Sequence, residues 1–265
     1  YMPYVLLFSV HPLKCIKGEA PPEILTDGLR KSLLGEMNVG ALEIDFSEIM
    51  HLSPESFVRD ILVGRFAAGA VSCGENYTFG DNGSGNVEVL RRLCRKYGIE
   101  LYVAPMVEFD GTEISSTRIR EAIRSGDMQT AAKMLCRPVS YDFTVVAGDR
   151  RGDLLGVPTI NQFFPDGFVQ PKHGVYASYV EIGGKAYPAV TNFGRRPTIG
   201  TPSVRSETCI LGFSGDLYGT DTEVRLLEFL RAEKKFDGLS SLSAQIKADS
   251  ESAVKIFENT IAKNA

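Results

Sequence analysis

Between Gly148 and Asn161 the sequence reads GDRRGDLLGVPTIN, and its residue types are those that handle phosphate. Gly148, Gly152 and Gly156 carry no Cβ, so the chain can curl until successive backbone N–H groups face one anion. Arg150 and Arg151 lie between these glycines as guanidinium donors suited to phosphate oxygens. Pro158 stiffens the chain just before Thr159 and Asn161, which present oxygens two residues apart. On an extended chain such residues share a side, which suits a hard cation such as Mg²⁺ bridging phosphates. The same pattern also serves a β-hairpin whose glycines only turn the chain.

Other segments invite a similar reading. In SETCIL (Ser206–Leu211), Glu207 stands at the entrance of an apolar strand, where a desolvated carboxylate gains proton affinity and serves as a general base. A solvated strand-end charge is the alternative. FLRAEKKF (Phe229–Phe236) sets Arg231, Lys234 and Lys235 between phenylalanines, so an apolar ring can stack on Phe236 while the cations meet phosphate. That segment equally describes a solvated loop with buried anchors. ISSTRIREAI (Ile114–Ile123) joins Ser115, Ser116 and Thr117 to a helix start, with Arg118 and Arg120 in the first turns. A helix N-terminus with adjacent arginines is a phosphate site, or simply a capped helix. GENYTFGDNGSGN (Gly74–Asn86) is a loop following a strand, with Tyr77 and Phe79 as candidate ligand-facing rings, or simply a long surface loop.

The elements that must position these groups change character once. From Tyr4 to about Leu135, apolar runs (Tyr4–Val10, Gly40–Phe46, Gly69–Gly74, Glu100–Pro105) alternate with helical spacing over Ser53–Phe66 and Asn86–Tyr97. Ser53 reads as an N-cap with Pro54 at the first helical position. Strands separated by helices imply parallel crossovers and a three-layer, nucleotide-binding type of sheet. From about Arg137, Phe143–Ala147, Gly174–Ile182, Lys185–Asn192, Arg205–Phe213 and Thr222–Phe229 alternate among Gly, Pro and Asp, as in an antiparallel barrel or sandwich. A helix over Leu242–Lys263 closes the chain.

Composition excludes several classes. At 265 residues the chain suits two domains, and a net charge of −4 gives no basic surface for nucleic acid. Cys15, Cys73, Cys94, Cys136 and Cys209 form no C-x-x-C pair, which points to reduced thiols in cytoplasm rather than a disulfide framework or a zinc site. No run approaches the roughly 20 apolar residues of a membrane span, so no membrane partner is expected.

Taken in order, GDRRGDLLGVPTIN, PKHGVYA (Pro171–Ala177), NFGRRPTIG (Asn192–Gly200), SETCIL, FSGDLYG (Phe213–Gly219) and FLRAEKKFDGLSSLSAQI (Phe229–Ile246) resemble the riboflavin kinase module of the bacterial bifunctional riboflavin kinase/FMN adenylyltransferases. The family's Pro-Thr-Ala-Asn stands here as Pro158-Thr159-Ile160-Asn161, with both polar ligands kept. Together with VHP (Val10–Pro12), the GENYTFG and ISSTRIREAI blocks resemble the adenylyltransferase module of the same family. The resemblance implies a Rossmann-like α/β domain over residues 1–136 and a Greek-key β-barrel with a C-terminal helix over 137–265. It implies riboflavin, FMN and ATP as substrates, Mg²⁺ on Thr159 and Asn161, and ATP phosphates on Gly148, Arg151, Gly152 and Gly156. Glu207 would be the base toward the ribityl hydroxyl, and the flavin would lodge near Leu227–Phe236, with Arg231 and Phe236 in contact. Asn76, Ser115, Ser116, Thr117 and Arg120 would serve adenylyl transfer.

One departure carries an expectation of its own. The family opens with a strand and a Gly-x-His-x-Gly-His loop, whereas His11, His51 and His173 form no such pair and Tyr1 begins at the family's second strand. Weak or absent FAD synthesis is therefore expected of these residues alone. A flavin- or nucleotide-binding regulatory homologue without chemistry is the competing expectation, against which the retained Thr159, Asn161 and Glu207 speak.

Overall fold

Hydrogen-bond pairing decides which of these runs become strands. The computed structural model describes residues 1–147, 159–196 and 203–264, which group into two units, Tyr1–Pro21 with Lys31–Ile114 and Pro22–Arg30 with Ser115–Ala265.

In the first unit, β1 (Tyr4–Phe8) pairs in parallel with β2 (Gly40–Ile44), and β3 (Ala70–Gly74) with β4 (Glu100–Ala104). These ends fall short of the expected ones because caps intervene. His11 Nδ1 accepts from Leu13 N at 3.1 Å to start α1 (Pro12–Lys17), and Asp45 accepts from Ser47 N at 2.8 Å to start α3 (Phe46–Ile49). Helix α2 (Asp27–Glu36) connects α1 to β2. Ser53 caps α4 (Pro54–Ser56), and the chain then winds from Phe57 to Arg65 with wider, five-residue hydrogen bonds, ending at Phe66 N to Ile61 O, 3.0 Å. Helix α5 (Val87–Tyr97) starts at Asn86, whose Oδ1 accepts from Val89 N at 3.0 Å. Ile44, Phe57, Val58, Leu90 and Leu93 form the core that holds these layers together. Strands β1 and β3 both line an apolar cavity of about 640 Å³. A hairpin, β5 (Glu108–Phe109) and β6 (Thr112–Glu113), turns through Asp110 and Gly111 at φ +54° and +68°, the two positive values that a tight hairpin turn requires.

The second unit holds α6 (Ser116–Ser125), α7 (Met128–Leu135) and a curled antiparallel sheet. Its strands are β7 (Val139–Tyr141), β8 (Thr159–Phe163), β9 (Gly174–Ile182), β10 (Lys185–Arg196), β11 (Ser203–Ile210) and β12 (Val224–Arg231), in the order β7-β12-β9-β10-β11-β8. Three consecutive neighbours with the fourth returning beside the first is the Greek key. On the segment after β7, Val146 N donates to Asn161 O of the edge strand β8 at 2.8 Å. Phe143–Ala147, expected as a strand, makes only isolated bridges at Thr144 and Val146; the paired strand is the earlier Val139–Tyr141, opposite Leu226–Val224.

Alternation along the strands separates two faces. Inward lie Tyr141, Tyr176, Val180, Phe193 and Leu226, with a hydroxyl chain from Ser178 through Thr191 to Thr208 (2.8 and 2.9 Å). Gln162 spans the interior, donating to Phe143 O and to Thr222 O at 2.7 Å. Outside, α8 (Leu239–Asn264) lays Ala253, Ile256 and Phe257 on Ala177, Tyr179, Val190 and Leu227. Among the described residues no helix is long and apolar enough to cross a membrane.

Candidate functional site

Strand β11 places Ser206 and Thr208 in the barrel interior, where both are fully buried, and therefore Arg205, Glu207 and Cys209 on the opposite face. Part of that face lies beyond the cover of α8. There Glu207 pairs in register with Asn161 of β8 on one side and with Asn192 of β10 on the other. Adjacent strands lie about 4.8 Å apart, so the three side chains form a short row. Glu207 was expected at a strand entrance among apolar neighbours; it lies mid-strand between two amides, because β11 begins at Ser203 and is paired with β10 and β8 on either side of Glu207. Arg205 Nη2 donates to Glu207 Oε1 at 2.7 Å, and the Glu207 side chain keeps 24% of its surface exposed.

Thr159 and Asn161 share one side of β8, opposite Cys209 and Glu207, as extended backbone requires. Asn161 is 4% exposed, and its Oδ1 accepts no hydrogen bond among the described residues. A buried amide oxygen without a donor is suited to a hard cation, and Thr159 adds a hydroxyl on the same side. No cluster of three His, Cys, Asp or Glu side chains with metal-holding geometry occurs among the described residues. Gly148, Arg150, Arg151, Gly152 and Gly156 lie outside the described residues. Thr159 also borders a cavity of about 490 Å³ at the barrel mouth, walled by Val145, Ile160, Ile210 and the segment Phe213–Tyr218.

The segment after β12 reaches this face. Asn192 Nδ2 donates to Glu233 Oε1 at 3.2 Å, and a side chain at Gly194 would collide with the Glu233 carboxylate. Arg231 is engaged by α8, its Nη2 lying 2.7 Å from Asp249 Oδ2, while its guanidinium carbon sits 5.8 Å from the Phe236 ring centre. Lys234 Nζ approaches the same ring at 5.1 Å. Sequence reasoning missed Asn192, Arg205 and Glu233, because only the strand register shows which residues flank Glu207. The NFGRRPTIG block held the signal for Asn192, and FLRAEKKF contained Glu233.

The remaining candidates occupy different elements. Asn76 is exposed on the loop after β3 in the first unit. Phe79, expected to face a ligand, is instead a core residue at 7% exposure, lying against Phe57 and stacked on Tyr77 at 5.6 Å. Its ring covers Gly85, where a Cβ would come within 2.7 Å, so the glycine-rich loop folds back onto the core. Burial pushes the Tyr77 hydroxyl up to about 12. In the second unit, Ser115 caps α6 by accepting from Arg118 N at 3.3 Å, leaving Ser116 and Thr117 exposed in the first turn. Arg120 Nε donates to Pro22 O at 2.6 Å, and burial holds its guanidinium below the usual arginine value.

Comparison with known proteins agrees with both halves of this description. The riboflavin kinase family model matches residues 135–257 and the FAD synthetase model residues 1–118. The bifunctional riboflavin kinase/FMN adenylyltransferase of Bacillus subtilis is 30% identical over 265 residues, covering 96% of this chain and 82% of the relative. The protein of the same description from Escherichia coli K12 is 32% identical over 258 residues, again covering 96% and 82%. A crystal structure described as a macrolide-efflux protein from Streptococcus pneumoniae superposes with a TM-score of 0.84 at 32% identity, covering 94% of this chain and 82% of that one. The chain belongs to the bifunctional riboflavin kinase/FMN adenylyltransferase family.

Proposed function

We propose that this chain phosphorylates riboflavin with ATP at the β8–β11–β10 face, and that in the intact protein the N-terminal part adenylylates FMN to FAD. The observation that carries the kinase reading is the register of Glu207 opposite Asn161, two residues along β8 from Thr159. It sets a carboxylate beside oxygen ligands that directly follow the Gly- and Arg-rich sequence 148–158.

Thr159 and Asn161 would hold Mg²⁺, whose charge would offset that of the ATP phosphates. Glu207 takes the proton of the terminal ribityl hydroxyl as that oxygen bonds to the γ-phosphorus. The bond from the γ-phosphorus to its bridging oxygen breaks, ADP leaves, and Glu207 returns the proton to solvent. Arg205 fixes the orientation of the carboxylate. Such a reaction asks the protein chiefly for positioning and charge neutralisation, which register-locked strands supply. Gly148, Arg151, Gly152 and Gly156 would contact the phosphates, and the cavity beside Thr159 would take the nucleoside.

We assign residues 1–136 to adenylyl transfer and 137–265 to the kinase. In that transfer an FMN phosphate oxygen attacks the α-phosphorus of ATP and pyrophosphate leaves; the family resemblance assigns to it Asn76 and, separately, the residues Ser115–Arg120. The unpaired cysteines fit a reducing cytoplasm. Incubation with riboflavin, ATP and Mg²⁺ tests the kinase reading: FMN is expected. Riboflavin binding without FMN would favour a regulatory flavin-binding protein instead.

A further inference from the structure

Asn192 has no place in the reaction as described, yet it shares the face of Glu207. Its Oδ1 is buried and accepts no hydrogen bond among the described residues, just as on Asn161 across the row. Its amide nitrogen is fixed: Nδ2 donates to Glu233 Oε1 at 3.2 Å, which directs the carbonyl oxygen away from Glu233. Gly194, two residues along β10, leaves the room that the Glu233 carboxylate occupies. The flanks of Glu207 are therefore chemically unlike. On the β8 side stand Thr159 and Asn161, which follow the Gly- and Arg-rich sequence 148–158. On the β10 side stands an amide oxygen held by the segment that carries Phe236.

From this asymmetry, and resting on the kinase reading, we infer that Asn192 is a positioning residue for the phosphate acceptor. Its Oδ1 accepts a hydrogen bond from a hydroxyl of the polyol chain, next to the hydroxyl that Glu207 deprotonates. The row then has a direction: donor phosphates over β8, the base on β11, and the acceptor alcohol over β10. A free amide acceptor matches an alcohol, which can donate, and not a phosphate oxygen, which cannot.

The test separates the polyol chain from the flavin ring. Riboflavin and lumiflavin, which carries a methyl group in place of the ribityl chain, are titrated against the protein by flavin fluorescence. KM values for riboflavin and ATP are measured alongside. Asn192→Ala is expected to weaken riboflavin about 3–10-fold, the worth of one hydrogen bond, with lumiflavin affinity and the KM for ATP unchanged. Glu233→Ala, a change at an exposed residue, is expected to weaken riboflavin by a smaller factor of about 2–3, in the same pattern. Equal losses for both flavins would make Asn192 merely structural, and a rise in the KM for ATP alone would place it on the donor side; either result overturns the inference. Wild-type protein that forms no FMN would sink the kinase reading itself, whereas FMN formation with an unaltered riboflavin affinity in Asn192→Ala sinks only this inference.

Discussion

The β8–β11–β10 face and the segments bearing Asn76 and Ser115–Arg120 hold their polar groups by different means. On the barrel face, Asn161, Glu207 and Asn192 are set by the hydrogen-bonded register of three strands, so each side chain is placed by many backbone bonds at once. Asn76 is exposed on a loop, and Ser116 and Thr117 are exposed in the first turn of a helix fixed by the Ser115 cap. A group held by register is ordered before substrate arrives, while an exposed side chain on a loop or first turn keeps rotamer freedom that binding would cost. The barrel face therefore suits phosphoryl transfer, in which positioning supplies much of the rate.

The largest effect expected from this contrast is at Glu207. Glu207→Gln keeps the size of the side chain and the strand, so turnover to FMN should fall about 10²–10⁴-fold with ATP binding retained, as measured by steady-state assay and nucleotide titration. Asn161→Ala removes the buried oxygen beside the proposed cation; FMN formation should drop about 10–100-fold at low Mg²⁺ and recover partly as Mg²⁺ is raised. An equal loss at every Mg²⁺ concentration would assign Asn161 to strand packing alone. Gly174→Ala attacks the scaffold. Gly174 sits at φ +144°, and an added Cβ would press on the Arg231 carbonyl and come within 2.6 Å of the Phe229 ring. Barrel unfolding should cost about 3 kcal/mol less, read as a lowered denaturation midpoint.

The smallest effect concerns the first unit. Burial raises the Tyr77 hydroxyl from 10.0 to about 12 in the folded chain, so the folded state resists losing this proton. The associated stability is complete below about pH 10 and is lost as pH rises toward 12. Denaturation of wild type and Tyr77→Phe at about pH 9 and pH 11 should show a larger decline in the wild type; parallel declines would mean that other groups govern alkaline unfolding.

Much of the scaffold was legible in the chain. Strand β9 spans Gly174–Ile182 as its alternation indicates, and Ser53 and Asn86 start helices where their types suggest. The oxygens of Thr159 and Asn161 fall on one side for the reason read from their two-residue spacing. Register was not legible. That Glu207 meets Asn161 and Asn192 depends on how three strands far apart in sequence slide into place, and a shift of one residue would have turned Glu207 inward. Phe79 misled because a Gly- and Asn-rich loop reads as solvent-facing, yet its glycine makes room for the ring to close onto Phe57. Arg231 looked available for a ligand, and only the tertiary fold shows its ion pair with Asp249 of α8.

The central claim is that the donor and acceptor of a phosphoryl group meet over Glu207. A crystal structure of the Glu207→Gln protein with Mg²⁺, ATP and riboflavin tests it most directly. The account predicts the terminal ribityl oxygen about 3 Å from the side chain at position 207 and in line with the γ-phosphorus, with the metal on Thr159 and Asn161. A ternary complex in which that hydroxyl meets a different residue, with position 207 facing neither substrate, would contradict it.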